Sequence, residues 1–267
     1  MSNPKQPTHG FVISAYGESP YLEDCIQSLL QQTLPSPIQI VTSTPNEKIR
    51  TLAETYRISL QSHERLPGGI ADDWNAAYRA IDADYVTIAH QDDTYEPMYA
   101  EKVVAALSGA EDPQIAFTDY GELRNGTKVD ANQLLTVKRR LLSPLRKTKR
   151  QSSRFWKRRV ISLGNSISCP TVTYVKNALP ENPFTPGYRS NIDWLLWEQL
   201  SGKNGAFVYV PEVLMHHRIH EGSATSEIIA DHDRTKEDYD MLCRFWPKWV
   251  ASCIEHFYQK GETSNRT

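Results

Sequence analysis

The sequence predicts an α/β protein with a mostly parallel central sheet covered by helices on both faces. Three observations carry this. Short apolar runs alternate with amphipathic segments as β-α-β-α-β-α-β over about the first 90 residues, the order that right-handed crossovers between parallel strands produce. The fourth run, residues 85–89 (Tyr-Val-Thr-Ile-Ala), carries no charge, as suits a strand buried on both faces. It ends in His90-Gln91-Asp92-Asp93, so two carboxylates emerge at a strand's C-terminal end, where an open α/β sheet places its ligand.

Each element has a local signature. Residues 11–14 read as the first strand, followed by a helix with Leu22, Cys25, Ile26, Leu29 and Leu30 on one face, stopped by Pro35 and Pro37. Residues 38–41 form the second strand, and the next helix carries Ile49, Leu52, Ala53 and Tyr56 as a stripe. Residues 58–60 are a third strand. Gly68-Gly69 breaks the chain before a helix with Trp74, Ala77, Tyr78 and Ile81 inward. A helix over 100–107 and a strand over 115–118 continue the pattern, and Asn125-Gly126 reads as a hairpin turn. Later come a strand (171–175), a proline-rich loop (180–187), a helix opened by Ser190-Asn191-Ile192-Asp193, and two strands (206–210 and 213–219). A closing helix over 231–258 has Met241, Leu242, Phe245, Trp249, Ile254 and Phe257 for burial and a kink expected at Pro247.

The chain has 267 residues and a formal charge of −2, enough length for a substantial core in one domain spanning 1–267. No apolar run approaches the ~20 residues of a bilayer span, and the polar opening lacks the apolar core of a signal peptide. Cys25, Cys169, Cys243 and Cys253 form no CxxC pair, and a cytoplasmic protein with reduced, mostly buried thiols is expected. The absence of GxGxxG and GxxxxGK[ST] argues against a dinucleotide fold and a P-loop. Charge is unevenly spread. Residues 137–160 hold eleven Lys and Arg and no acid, from Lys138 to Arg159, on an otherwise acidic chain. Such a band suits phosphates, on an anionic membrane surface or a phosphorylated substrate, or is a solvated helical face.

Asp92 and Asp93 admit two readings. Carboxylate oxygens are the hard ligands that Mg²⁺ or Mn²⁺ prefers, shared with a substrate phosphate. Alternatively Asp93 or Thr94 caps a helix with Glu96 and Pro97 in its first turn. Asp193 is three residues after Ser190, a capping-box spacing. His216, Arg218 and His220 alternate, so they share one face of a late strand, which suits a phosphate or metal shell or an exposed edge.

Five stretches together resemble a family 2 glycosyltransferase of the GT-A fold. Ser14-Ala15-Tyr16-Gly17-Glu18 stands where that family has Pro-x-Tyr-Asn-Glu, and GGIADDWNAA resembles the helix that flanks the nucleotide. HQDD resembles the Asp-x-Asp metal motif and the residue after it. GNSISCP and DWLLWEQLS resemble the acceptor half, and HHRIHEGSAT the strand and loop that closes on the diphosphate. Nearly the whole chain except the basic band is covered. Two positions depart from the pattern. The turn after the second strand is Thr42-Ser43-Thr44, where the family carries a base-reading Asp, and His90 replaces the first Asp of the metal motif.

The resemblance implies an inverting transfer from a nucleotide-diphosphate sugar to a hydroxyl of a glycan or lipid-linked glycan, in polysaccharide synthesis. It places a nucleotide-sugar half at about 1–120, an acceptor half at about 160–230 and a C-terminal helix at 231–267. It implies Asp193 as general base, Asp92, Asp93 and His220 as ligands of Mg²⁺ or Mn²⁺, and Tyr16, Glu18, Asp72, Asn75, Asp92, Asp93 and Arg218 around the donor. Tyr16 would pack on the base, and Glu18 or Asp72 would accept from ribose hydroxyls. Ser223 and Thr225 would close over the donor, and Trp194 and Trp197 would wall the acceptor or fill the core. The basic stretch 138–159 offers a peripheral contact with the inner membrane face, and nucleic acid is not an expected partner. Two other classes stay open. One is a non-catalytic nucleotide-sugar binding module, favoured by His90 and the missing base-reading Asp. The other is a nucleotidyltransferase, which would carry a lysine in residues 15–20, where none occurs.

Overall fold

The alternation expected for the first third of the chain is what forms. The computed structural model describes residues 7–220 and 233–263. It opens with β1 (His9–Ala15), α1 (Leu22–Leu30), β2 (Ile38–Thr42), α2 (Glu47–Thr55), β3 (Ser59–Ser62), α3 (Ile70–Ala80) and β4 (Tyr85–His90). These strands lie in the order β3-β2-β1-β4, all parallel. Then follow β5 (Thr94–Tyr95), α4 (Tyr99–Ser108), β6 (Pro113–Arg124), β7 (Thr127–Val129), α5 (Gln133–Leu142), α6 (Thr148–Gln151) and α7 (Arg154–Val160). β8 (Val172–Val175), α8 (Ile192–Ser201), β9 (Ala206–Ile219), α9 (Asp233–Cys243) and α10 (Lys248–Thr263) complete the described chain.

The sheet continues β4-β8-β6-β9-β5. β8 is antiparallel to both β4 and β6, and β9 is parallel to β6. β4, β6 and β9 therefore point the same way, and their C-terminal ends share one edge with those of β1, β2 and β3. Alternation along β1 sends Phe11 and Ile13 to one face and Val12 to the other. On the first face they pack with α1 and α4 through Leu22, Ile26, Tyr99 and Val103. On the second, Val12 joins Val86, Ile88, Phe117, Tyr174, Trp194 and Trp197 under α3 and α8. Asn46 caps α2 by accepting from the Ile49 amide at 2.9 Å. Asn125 and Gly126 both take positive φ, 49° and 78°, which makes the expected hairpin between β6 and β7.

Several expectations are corrected. The third strand sits one residue later, and the short β5, antiparallel to β9, was not anticipated. The two late strands are one, β9, with register shifts opposite residues 118–121. β9 lies between β6 and β5; β5 covers His216 and the Asp93 carboxylate accepts the Arg218 amide, so neither residue is on an exposed edge. The closing helix is broken rather than kinked: α9 ends at Cys243 and α10 starts after Pro247, whose ring allows no N–H donation back to the preceding turn. Trp249 is exposed, while Met241 and Leu242 are buried as expected. Ser223 and Thr225, and the side chain of Phe257, lie outside what is described. All four cysteines are free, with Cys25 and Cys169 buried.

The basic band folds as short helices that keep most of their cations at the surface and turn a few inward. Lys157 is fully buried and its Nζ donates to Gln114 Oε1 at 3.0 Å and to the Lys203 and Gly205 carbonyls at 2.9 and 2.7 Å. Arg158 pairs with Glu198 at 2.8 Å and Arg139 with Asp119 at 3.6 Å. No described helix is long and apolar enough to cross a membrane.

Candidate active site at the strand ends

β4 delivers Asp92 and Asp93 to the edge where β1, β2 and β9 also end. The helix-cap reading fails there. α4 begins only at Tyr99, its N-cap is Met98 with no side-chain cap, and Thr94 belongs to β5. Asp93 is instead fully buried, and its Oδ1 accepts from the Arg218 amide at 3.0 Å and faces His217 Nδ1 at 2.9 Å. Its Oδ2 is buried without a hydrogen-bond partner. Asp92 is more open. Ser19 Oγ donates to its Oδ1 at 2.6 Å, and His220 Nε2 lies 3.3 Å from its Oδ2. Arg218 closes the joint: Nε donates to the Asp92 carbonyl at 2.9 Å, Nη2 pairs with Asp24 at 2.8 Å, and the guanidinium stacks on Tyr21 at 4.2 Å.

The local field is set by burial working against charge. Burial pushes the Asp93 carboxyl up, but the His217 charge and hydrogen bond, His90 and the Arg218 amide outweigh it and hold it below the usual range. For His217 burial pulls down, and the neighbouring Asp93 carboxylate outweighs it and raises the imidazole. Burial lowers His90, which is stacked on Trp74 with ring centroids 5.3 Å apart. The Cys25 thiol is pushed well up by burial and then by Asp93 and Asp92, and Cys169 by burial and then by Asp193 and Asp93. Cys169 thus lies within the fields of both Asp93 and Asp193.

Asp193 occupies the first turn of α8 and is buried. Its Oδ1 accepts from the Trp194 amide and its Oδ2 from Asn165 Nδ2, both at 2.8 Å. The capping box does not form. Ser190 Oγ donates to Glu237 of α9 at 2.6 Å, and the same carboxylate accepts the Arg189, Ser190 and Asn191 amides. Trp194 and Trp197 are core: Trp194 Nε1 donates to the Ile161 carbonyl at 2.9 Å and Trp197 stacks on Tyr174. His216 is also internal, between Glu96 at 3.1 Å and Asp130 at 2.8 Å.

On the β1–β2 side, Tyr16 is 45% exposed, with the Arg65 guanidinium over its ring at 5.0 Å. Its backbone is tied to Gln91 by two hydrogen bonds of 3.1 and 2.8 Å. Glu18 is exposed at the rim. Asp72 turns back to accept the Gly68 amide at 2.7 Å and lines a cavity of about 280 Å³ with His63, Leu66 and Arg79. Asn75 is buried and exchanges both amide hydrogen bonds with the Phe184 backbone, at 2.7 and 3.0 Å. The site also gathers Ser19, Tyr21, Asp24, Asp73, Asn165 and His217, none singled out by sequence. Asn165 stood inside the GNSISCP stretch, His217 inside HHRIHEGSAT and Asp73 inside GGIADDWNAA; Tyr21 and Asp24 carry no sequence signal.

The Glycosyl transferase family 2 profile matches residues 11–169. No curated protein matches the chain. Among solved structures, S. aureus TarS 1–349 in complex with UDP-GlcNAc aligns with a TM-score of 0.59 and 14% identity, over 93% of this chain and 70% of that one. Another S. aureus TarS structure aligns at 0.57 and 14% identity, covering 92% of this chain and 42% of that one. Mycobacterium tuberculosis glucosyl-3-phosphoglycerate synthase, with Mn²⁺ and UDP-glucose, aligns at 0.54 and 17% identity over 90% and 79%. At such identities the likeness is one of fold, an α/β sheet of the GT-A type.

Proposed function

The chain belongs to glycosyl transferase family 2, and from that premise we propose that this glycosyltransferase moves a sugar from a nucleotide-diphosphate donor to an acceptor hydroxyl, with inversion, in a single displacement. The observation that carries the reading is the joint between β4 and β9. It packs Asp92, Asp93 and Arg218 into one hydrogen-bonded unit at the sheet edge.

Asp193 is the general base. It takes the acceptor hydroxyl proton as attack on the anomeric carbon begins, a contribution of typically ~10²–10⁴-fold. Asn165 and the Trp194 amide orient it. Arg218 offers the guanidinium that matches diphosphate oxygens. Asp92 and Asp93, with His220, suit Mg²⁺ or Mn²⁺: the buried Asp93 Oδ2 has no hydrogen-bond partner, and two carboxylates plus substrate phosphates are the usual Mg²⁺ set. Among the described residues no group of three His, Cys, Asp or Glu is arranged to hold a metal by itself. When bound, the cation supplies neutralisation of the leaving diphosphate. The acceptor is a glycan or lipid-linked glycan, and the exposed cations of the basic band, Arg140, Arg146, Lys147, Lys149, Arg154 and Arg159, with exposed Phe155, are free to face an anionic leaflet.

A thermal-shift panel of UDP, GDP, CDP and ADP with and without Mn²⁺ tests the reading. A ligand that binds only the folded state raises the midpoint with concentration. The expected result is a rise with one diphosphate that grows with Mn²⁺, together with release of that diphosphate from its sugar conjugate. A metal-independent rise without turnover favours the binding-module reading, and no rise with any nucleotide overturns donor binding.

A further inference from the structure

The turn after β2 is Thr42-Ser43-Thr44, with no acid to read a base. The structure fills that position from another element. Asp73, in the first turn of α3, points away from its neighbour Asp72 and toward the ends of β2 and β3. Its Oδ1 lies 3.3 Å from His63 Nε2, and Ser43 and Arg65 both act on its carboxyl. The Ser43 hydroxyl and His63 Nε2 are buried and lack an aligned hydrogen-bond partner. His63 Nδ1 is committed to the Glu64 carbonyl at 2.9 Å, which leaves Nε2 as the ring atom facing the carboxylate.

This cluster adjoins the exposed Tyr16 ring. The Gly17 amide donates to Thr44 Oγ1 at 2.7 Å, and Asn46 Nδ2 donates to the Gly17 carbonyl at 2.8 Å, so the Tyr16 loop and the Ser43 turn are tied to each other. Arg65 links the two sides, lying over Tyr16 while acting electrostatically on Asp73. An aromatic ring with a planar cation stacked on it, beside a carboxylate, a hydroxyl and an imidazole that face one another, has the makings of a nucleobase slot. Stacking on Tyr16 supplies affinity and tolerates any base. The polar edge must supply the choice.

We propose that Asp73, flanked by Ser43 and His63, reads the donor's base and selects a pyrimidine with an imide N–H, as in uracil. This rests on the nucleotide-diphosphate-sugar reading above and names the residue that sets its specificity. A carboxylate accepts from the uracil N3–H. The Ser43 hydroxyl beside it donates to one of the flanking carbonyls, O2 or O4, and the His63 ring borders the other. Cytosine presents an acceptor at N3, which faces Asp73 lone pair to lone pair. Guanine presents two adjacent donors and matches only one flank. Arg65, exposed on its loop, gives up its place over Tyr16 when the base stacks.

The test is titration calorimetry of the full chain with UDP, dTDP, CDP and GDP, on wild type and on Asp73→Asn and Ser43→Ala. Wild type is expected to bind UDP and dTDP at least about tenfold more tightly than CDP, the scale of one lost charged hydrogen bond. Asp73→Asn is expected to weaken UDP by about 10- to 100-fold while leaving CDP within a few-fold, because only the imide loses its partner. Ser43→Ala should weaken UDP by about 3- to 10-fold, a second readout should Asp73→Asn fold poorly. An unchanged UDP-to-CDP ratio in both variants, or tighter binding of GDP than of UDP by wild type, overturns the assignment and leaves the glycosyltransferase standing. If no nucleoside diphosphate binds wild type, the donor reading falls, and this inference with it.

Discussion

The candidate site holds two buried carboxylates on different elements and with different partners. Asp93 sits between His90, His217 and the backbone of Arg218, and these partners stabilise its anion. Asp193 receives its 2.8 Å hydrogen bonds from a backbone amide and the Asn165 carboxamide, both neutral donors. The difference separates two tasks. An acid whose charge is matched by cationic partners is held ionised and fixed in place, good for structure and for holding a cation. An acid at the first turn of a helix, with one oxygen oriented by a backbone amide and the other by a carboxamide, has the fixed geometry that a general base needs. The pairing also explains the geometry: Asp93 ties two strands together, whereas Asp193 rides on the first turn of one helix.

The largest effect should come from Asp193→Asn. It keeps the shape and removes the proton acceptor, so turnover is expected to fall by ~10²–10⁴-fold with the thermal midpoint nearly unchanged. Steady-state transfer assays beside a melting curve check this. Near-wild-type turnover would remove Asp193 from the chemistry and collapse the contrast between the two acids.

Asp93→Ala should cost stability as well as the Mn²⁺ response. It leaves the Arg218 amide and the His217 ring without their acceptor inside the protein, a loss of about 3–5 kcal/mol for a broken buried pair. Urea unfolding measures it, and Asp193→Ala measured alongside sharpens the comparison. An equal loss in the two variants would mean that both acids are structural.

Much of this arrangement was legible. The hydrophobic run at residues 85–89 and the repeated strand–helix spacing were enough to place β1 to β4 in a parallel sheet and to bring Asp92 and Asp93 to its edge. Local pattern reached no further where function depends on distant pairing. Nothing in the sequence says that Arg218 meets Asp24, 194 residues away, or that Asp73 rather than Asp72 turns toward Ser43. Burial of charge was equally hidden. Lys157 and Lys149 look alike in a run of cations, yet one is sealed among carbonyls and the other is exposed. β5, two residues long, is defined only by its partner β9.

The third expected effect is on pH dependence. The Asp93 pKa is lowered on folding, so its contribution is present above the ordinary carboxylate range and is lost as pH falls through the folded value. The His217 pKa is raised, so its contribution is complete below about 6.5 and is lost as pH rises through the folded value. The pair should stabilise most between about pH 4 and 6.5. His90, lowered by burial, works the other way, costing stability as pH falls below about 6.5. The informative quantity is therefore the difference between wild type and His217→Gln. That difference should shrink as pH rises past neutrality. A flat difference from pH 5 to pH 8 would mean that His217 and Asp93 do not share charge.

The smallest expected effect separates Asp92 from its buried neighbour. Ser19 Oγ donates to Asp92 at 2.6 Å and accepts from the Tyr21 amide at 3.2 Å, so it links the β1–α1 loop to the end of β4. Asp92 keeps some exposure and His220 beside it, so water can replace the lost donor. Ser19→Ala should cost about 0.5–1.5 kcal/mol, well below Asp93→Ala. The Mn²⁺-dependent part of the nucleotide-induced shift should survive, because the cation is held by carboxylate oxygens that the variant leaves in place. Loss of the Mn²⁺ response with the fold intact would show that Ser19 fixes the Asp92 rotamer for the cation. The division would then be redrawn: Asp92 would depend on its neighbours as strictly as Asp93 does.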